Sequence, residues 1–225
     1  AASLNTSRPV LSGVFVSCDS GEVKFASTDG YRLAEKRVKI ARGAGEAVYC
    51  IVPARTMVEL AKIVSRAEEK EVKINISKNQ ILFTIGGVEL ISRLIEGKFP
   101  DYEKIIPKDK KTSIVVSVED LSLVLKRVSL FAKENNNSVK LSATNDGKMA
   151  ISSEETRVGE EKSELAIKID GDNNKISLNA QYLLDVLTYI KDDKVEIIIN
   201  DKSSPALVRP TKEDGYVYVI MPLKV

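Results

Sequence analysis

The sequence predicts an α+β protein made of two copies of one unit, each with antiparallel sheets and helices packed on one face. Three observations predict it. Three segments share one apolar template at helical spacing. Two of them stand in matching surroundings, each between β-type runs. The short β-type runs outnumber the helices and alternate only moderately, which suits antiparallel sheets covered on one side. The expected units are 1–110, truncated at its front, and 111–225.

Taken in chain order, Arg8-Pro9-Val10-Leu11 reads as a strand, and so does Val23–Ala26. A polar turn at Thr28-Asp29-Gly30 follows, where Asp-Gly suits the positive φ of a tight hairpin. Tyr31-Arg32-Leu33-Ala34 leaves that turn with an aromatic ring, a guanidinium and a leucine in succession. The first helix candidate is 54–67, with Met57, Leu60, Ala61 and Val64 at i, i+3, i+4 and i+7. The second is 118–133, with Leu121, Val124, Leu125 and Val128 at the same offsets, and Ser117 with Asp120 resembles a capping box. The third is 180–191, with Leu183, Val186, Leu187 and Ile190, and Asn179 is its expected N-cap.

Ile51-Val52-Pro53-Ala54 leads into the first helix and Ser177-Leu178-Asn179-Ala180 into the third. Strands are expected next at Val72–Ile76 and Val195–Ile199, then β-type runs at Ile81–Ile85 and Ala206–Arg209. Each copy is expected to close on a proline, at Ile105-Ile106-Pro107 and at Ile220-Met221-Pro222. The charged linker Lys108-Asp109-Lys110-Lys111-Thr112 marks the junction. The second copy opens with a strand (Ile114–Ser117) and a helix that the first copy lacks. A fragment of a longer protein is expected, a naturally asymmetric start being the other reading.

Composition narrows the chemistry. The 225 residues are 43% hydrophobic and carry a net charge of +2, so any nucleic-acid surface has to come from local charge placement. No apolar run reaches the length of a membrane span, and a cytoplasmic location is expected. Cys18 and Cys50 lack a partner motif and read as reduced thiols. The absence of histidine removes Ser-His-Asp and Cys-His catalysis and the usual zinc sites, and neither metal nor cofactor is expected.

Other motifs dissolve on inspection. Gly43-Ala44-Gly45 lacks the third glycine of a dinucleotide loop, since Val48 stands there. Asp170-Gly171-Asp172-Asn173-Asn174 lacks the glycine and the glutamate of a calcium loop and reads as a hairpin. Glu154-Glu155 and Glu160-Glu161 read as solvated charge, and the sequons at Asn5 and Asn136 as chance. On helical geometry, Arg55, Lys62 and Arg66 share an arc opposite the apolar stripe, and Lys126 and Lys133 do likewise on the second helix. Such stripes can track a phosphate backbone without reading bases; a solvated helix face, with Glu59 and Glu119 in the same arcs, is the plain alternative.

Four segments carry a family resemblance. Ser27-Thr28-Asp29-Gly30-Tyr31-Arg32-Leu33-Ala34 resembles the ATDG(H/Y)RLA signature of the bacterial DNA polymerase III β subunit, the sliding clamp. Ile95-Glu96-Gly97-Lys98-Phe99-Pro100-Asp101-Tyr102 resembles its GxFPDY segment. Asn179–Leu187 resembles a helix of its third domain, and Tyr218–Val225 its C-terminal tail. The four stand in the family's order and cover essentially the whole chain.

The resemblance implies two of the family's three DNA-clamp units, the central one truncated at its front. Family protomers pair head to tail into a ring around duplex DNA, with helices lining the hole. It implies a non-enzymatic processivity factor that tethers the replicative polymerase, with full-length homodimerisation and non-specific DNA encirclement. A chain without the first unit is expected not to close that ring. It also implies a peptide pocket for the polymerase α subunit, the clamp-loader δ subunit and other partners. Residue by residue, the pocket maps onto Leu11, Thr28, Gly30, Tyr31, Arg32, Leu33, Pro100, Lys104, Ile105, Tyr182, Ser204, Val219, Ile220, Met221, Pro222, Leu223, Lys224 and Val225. Lys104 and Lys224 stand where arginine is common, and a lysine does not reproduce a planar fork. Leu11, Leu33, Pro100, Ile105, Val219, Ile220 and Met221 are expected to make an apolar cleft, in which a few anchors carry most of the binding energy. A peptide-binding α+β scaffold unrelated to replication is the alternative.

Overall fold

The computed structural model describes residues 1–5, 7–19, 21–40, 47–69, 71–153 and 161–223. The chain divides into two compact units, Ala1–Asp101 and Tyr102–Val225. The division falls ahead of the expected junction at 110/111. The linker explains why: Lys110 Nζ pairs with Glu196 at 3.0 Å, and Lys111 N–H donates to Asn200 Oδ1 at 3.0 Å. One lysine charge and one backbone N–H fasten it to the second unit.

The first unit holds β1 (Gly13–Asp19), β2 (Glu22–Thr28), β3 (Arg32–Lys39), β4 (Val48–Pro53), α1 (Ala54–Arg66), β5 (Lys73–Ile76), β6 (Gln80–Ile85) and β7 (Val88–Arg93). Its strands form two antiparallel sheets, β3-β2-β1-β4 and β5-β6-β7. The core gathers Val16, Val23, Cys50, Val52, Leu60, Ile81, Phe83 and Ile85.

Two expectations fail in this unit. Arg8–Leu11 is not a strand. Pro9–Ser12 is a 3₁₀ turn whose first position is Pro9, where a fixed φ and a missing donor are harmless, and Leu11 N–H donates to Arg8 O at 3.0 Å. On α1 the core-facing residues are Met57, Leu60 and Ile63, followed by Ala67 just past the helix end, whereas Ala61 and Val64 are exposed. The true stripe is rotated from the template, so that Thr56 meets Ser92 Oγ of β7 at 2.8 Å.

The second unit holds β8 (Thr112–Ser117), α2 (Val118–Ala132), β9 (Ser138–Thr144), β10 (Lys148–Ser153), β11 (Lys162–Ala166), β12 (Lys168–Gly171), β13 (Asn174–Asn179), α3 (Ala180–Tyr189), β14 (Lys194–Ile199), β15 (Ala206–Pro210) and β16 (Tyr216–Ile220). They make the sheets β12-β8-β14-β15-β16 and β11-β10-β9-β13. Both expected caps are present: Ser117 Oγ accepts from Asp120 N–H, and Asn179 Oδ1 accepts from the N–H groups of Gln181 and Tyr182. The template residues of α2 and α3 are buried, and the two helices pack on each other.

The segment 170–174 is not a hairpin. β12 pairs with β8 and β13 with β9, so the chain changes sheets there. Gly171 makes the corner at φ +103°, and a Cβ on it would lie 1.9 Å from the Lys111 carbonyl oxygen.

Three runs share one plan of strand, helix and three strands: β4-α1-β5-β6-β7, β8-α2-β9-β10-β11 and β13-α3-β14-β15-β16. In the second unit the opening strands are exchanged, β8 pairing with β14 and β13 with β9. Among the described residues, β5 has no strand in the place that β8 takes beside β14.

The plan corrects the expected repeat register. Leu223 N–H donates to Ser177 O at 2.9 Å, and Ile95 N–H donates to Ile51 O at 2.8 Å. Ser177 and Ile51 each stand three residues before a helix start. Pro222-Leu223 therefore corresponds to Leu94-Ile95, and not to Ile106-Pro107, which follows a 3₁₀ turn (Glu103–Ile105) in the second unit.

Candidate functional site

In the first unit the site candidates cluster on the β2–β3 turn. The ladder closes with Thr28 opposite Leu33. Thr28 Oγ1 donates to Arg32 O at 2.7 Å and accepts from Gly30 N–H at 3.0 Å. Gly30 takes φ +94°, which only glycine adopts without strain. The residue that completes the turn is Asp29, which the sequence places in the turn but not among the site residues. Its Oδ1 accepts from Tyr31 N–H at 2.9 Å and Arg32 N–H at 3.0 Å, and its Oδ2 holds Arg32 Nε at 3.0 Å. The signal was present in the Asp-Gly-Tyr-Arg order, since aspartate folds back on backbone donors two and three residues ahead. This lattice leaves Tyr31 65% exposed over a fully buried Leu33. Leu11 is buried in its 3₁₀ turn, and Pro100 is exposed next to Phe99, whose ring stacks on Phe15 at 5.3 Å.

In the second unit Val219 to Leu223 run through the end of β16 and just past it. Val219 and Ile220 are buried, Met221 is 36% exposed, and Leu223 is tied to Ser177. Tyr182 is half-buried in the first turn of α3, where Asn179 caps the helix. Ser204 is fixed by Asp201, which accepts its N–H at 2.8 Å and its hydroxyl at 2.7 Å. Those bonds, the hydroxyl's first, hold the Asp201 carboxyl below its ordinary range. Lys104 and Ile105 are exposed on their 3₁₀ turn. Lys224 and Val225 lie outside the described residues, as do Gly43-Ala44-Gly45 and Glu154-Glu155.

Burial sorts the expected pocket into two kinds of residue. Leu11, Leu33, Val219 and Ile220 are at most 6% exposed and act as support. Tyr31, Pro100, Ile105 and Met221 are the described apolar members that reach solvent, with Arg32, Pro222 and Leu223 at intermediate burial.

The basic candidates are exposed. On α1, Arg55 and Arg66 flank Lys62, whose Nζ pairs with Glu59 at 3.0 Å. On α2, Lys126 borders a cavity of about 360 Å³ with Gln181 and Asp185 of α3. Lys133 stands just past α2, in a 3₁₀ turn. Among the described residues, no group of His, Cys, Asp or Glu side chains could hold a metal ion, and no helix is long and apolar enough to cross a membrane.

The class so defined is a tandem α+β protein that repeats one strand–helix plan and carries exposed turns and basic helix faces. Residues 1–101 match the family model of the DNA polymerase III beta subunit, central domain, and residues 103–224 that of its C-terminal domain. The chain belongs to the DNA polymerase III beta subunit family. It is 32% identical over all 225 residues to a beta sliding clamp of Staphylococcus aureus. The DNA polymerase sliding clamp of Bacillus subtilis superposes with a TM-score of 0.93 at 31% identity, covering 100% of this chain and 60% of that one. The beta subunit of Pseudomonas aeruginosa gives 0.93 at 29%, covering 100% and 61%. The chain spans 59% of the length of the curated Staphylococcus relative.

Proposed function

We propose that the chain serves in a DNA sliding clamp, a processivity factor without catalytic activity that holds the replicative polymerase on duplex DNA. One observation carries the reading: both units match the family in order, and the whole chain superposes on solved clamps. In the full-length homodimeric ring the basic faces of α1 and α2 turn toward the duplex, and the ring slides because phosphate contacts carry no sequence information. The setting is cytoplasmic.

The turn 28–33 on one unit and the segment 219–225 on the other are proposed to serve one guest peptide. The partners are the DNA polymerase III α subunit, the clamp-loader δ subunit and other proteins with a clamp-binding motif. Tyr31 and Met221 supply apolar surface, and methionine adapts to varied guests. Deleting Met221–Val225 tests this. Binding of a peptide bearing the α subunit's motif should be lost while the circular dichroism spectrum is kept; unchanged affinity overturns the site. Pulldown from a bacterial lysate separates the rival scaffold reading, which predicts retention of neither the α nor the δ subunit.

A further inference from the structure

The turn that presents Tyr31 depends on a carboxylate for two distinct tasks. Asp29 Oδ1 takes two backbone donors, a task that an asparagine oxygen performs equally well. Asp29 Oδ2 takes Arg32 Nε at 3.0 Å, and here the negative charge matters. The two side chains are only 17% and 16% exposed, so water and salt screen this pair less than a surface pair. Thr28 Oγ1 also holds the Arg32 carbonyl, which fixes the backbone from which the guanidinium projects.

We propose that Asp29 is a positioning and selectivity residue of the peptide site. It fixes the guanidinium of Arg32 and sets a negative charge against it, so this wall offers an ordered donor group whose positive charge is offset. Such a wall does not reward an acidic guest over a neutral one. Without the carboxylate, Arg32 would draw acidic segments to the site and blur the choice of partner. The inference rests on the peptide reading of the turn.

Asp29→Asn tests it, because the variant keeps the two backbone bonds on its one amide oxygen while it removes the charge and replaces the acceptor of Arg32 Nε with an amide N–H group. The probes are two synthetic peptides with the polymerase α subunit's motif, one with neutral flanks and one with an aspartate added beside the motif. Affinities are read by fluorescence polarisation at low ionic strength. The wild-type chain should bind the two forms about equally. D29N should favour the acidic form by roughly three- to tenfold, the effect of one charge some 6 Å away at an effective dielectric between that of protein surface and water. Added salt should erase that preference, and D29N/R32Q should return to the wild-type ratio. An unchanged ratio in D29N, with both peptides bound, overturns the role of Asp29 and leaves the peptide site standing. Failure of the wild-type chain to bind either peptide removes the site and the proposal together.

Discussion

Replacing Glu196 by glutamine should destabilise the second unit in a pH-dependent way. Glu196 lies on β14 in the centre of its sheet and is 9% exposed. Ser113 donates to its Oε1 at 2.5 Å, Lys110 pairs with the same oxygen at 3.0 Å, and Arg209 pairs with Oε2 at 2.5 Å. Burial alone would raise its pKa. The bonds from Arg209, Ser113 and Lys110 more than reverse that and bring it from 4.5 down to about 2. A drop of that size corresponds to about 3 kcal/mol for a group sealed from solvent. Lys110 and Arg209 are 42% and 45% exposed, however, and screening there reduces the figure to about 1–2 kcal/mol.

The sign follows from the lowered pKa. The stabilisation is fully present above about pH 4.5 and is lost as the pH falls through about 2. Glutamine offers one acceptor oxygen, and its amide N–H groups would face a donor. Thermal melts of the two proteins across pH 2–7 should therefore converge at the acid end. They should separate to a plateau above about pH 5, with the variant lower by roughly 3–8 °C. Parallel curves with no separation at neutral pH would refute the claim that this cluster stabilises the sheet.

Under the proposed function, neutralising Arg55, Lys62 and Arg66 in the proposed full-length ring should weaken low-salt binding to duplex DNA and flatten the salt dependence by up to about three phosphate contacts. Lys62→Ala alone should matter least, since Glu59 already pairs with it; an unchanged salt slope returns all three to a solvated face. Burial pushes the Cys50 thiol up to about 11, so iodoacetamide at pH 8 should label half-buried Cys18 well before Cys50; peptide mapping reads the order, and faster labelling of Cys50 refutes it. Leu223→Pro removes the N–H that ties the tail to Ser177, costing about 0.5–1.5 kcal/mol of local order. Peptide affinity should fall while the melting temperature moves little, and unchanged affinity would separate the tie from binding.

The helices were legible because their signals are local. Ser117 and Asn179 cap the helices that the spacing predicts, and the buried faces of α2 and α3 are the template residues themselves. On α1 the template misled, because Val64 fits the spacing while the sheets select Ile63 and Ala67. Apolar side chains occur on both sides of that helix, and only tertiary packing decides between them. Glu196 was illegible for a related reason. A lone acid in an apolar strand looks solvated until Ser113 and Arg209 arrive from neighbouring strands. The turn at 28–33 was legible as a motif, yet Asp29 was read only as a turn former, because its bonds to the Tyr31 and Arg32 backbone and to the Arg32 guanidinium are local and leave no spacing pattern of their own.

The proline that misled the repeat register points to how the tail is displayed. Ile220 is the last residue of β16 and is fully buried, and Leu223 is tied back to Ser177. Met221 and Pro222 thus span two fixed points, and Pro222 removes a backbone freedom between them. An exposed methionine on so short a span loses little conformational entropy when a guest arrives. The same tie in the first unit, from Ile95 to Ile51, is followed by Phe99 packed on Phe15. One latch thus has two uses: in the first unit the chain beyond it buries an aromatic ring, and in the second unit the residues leading into it hold Met221 at the surface.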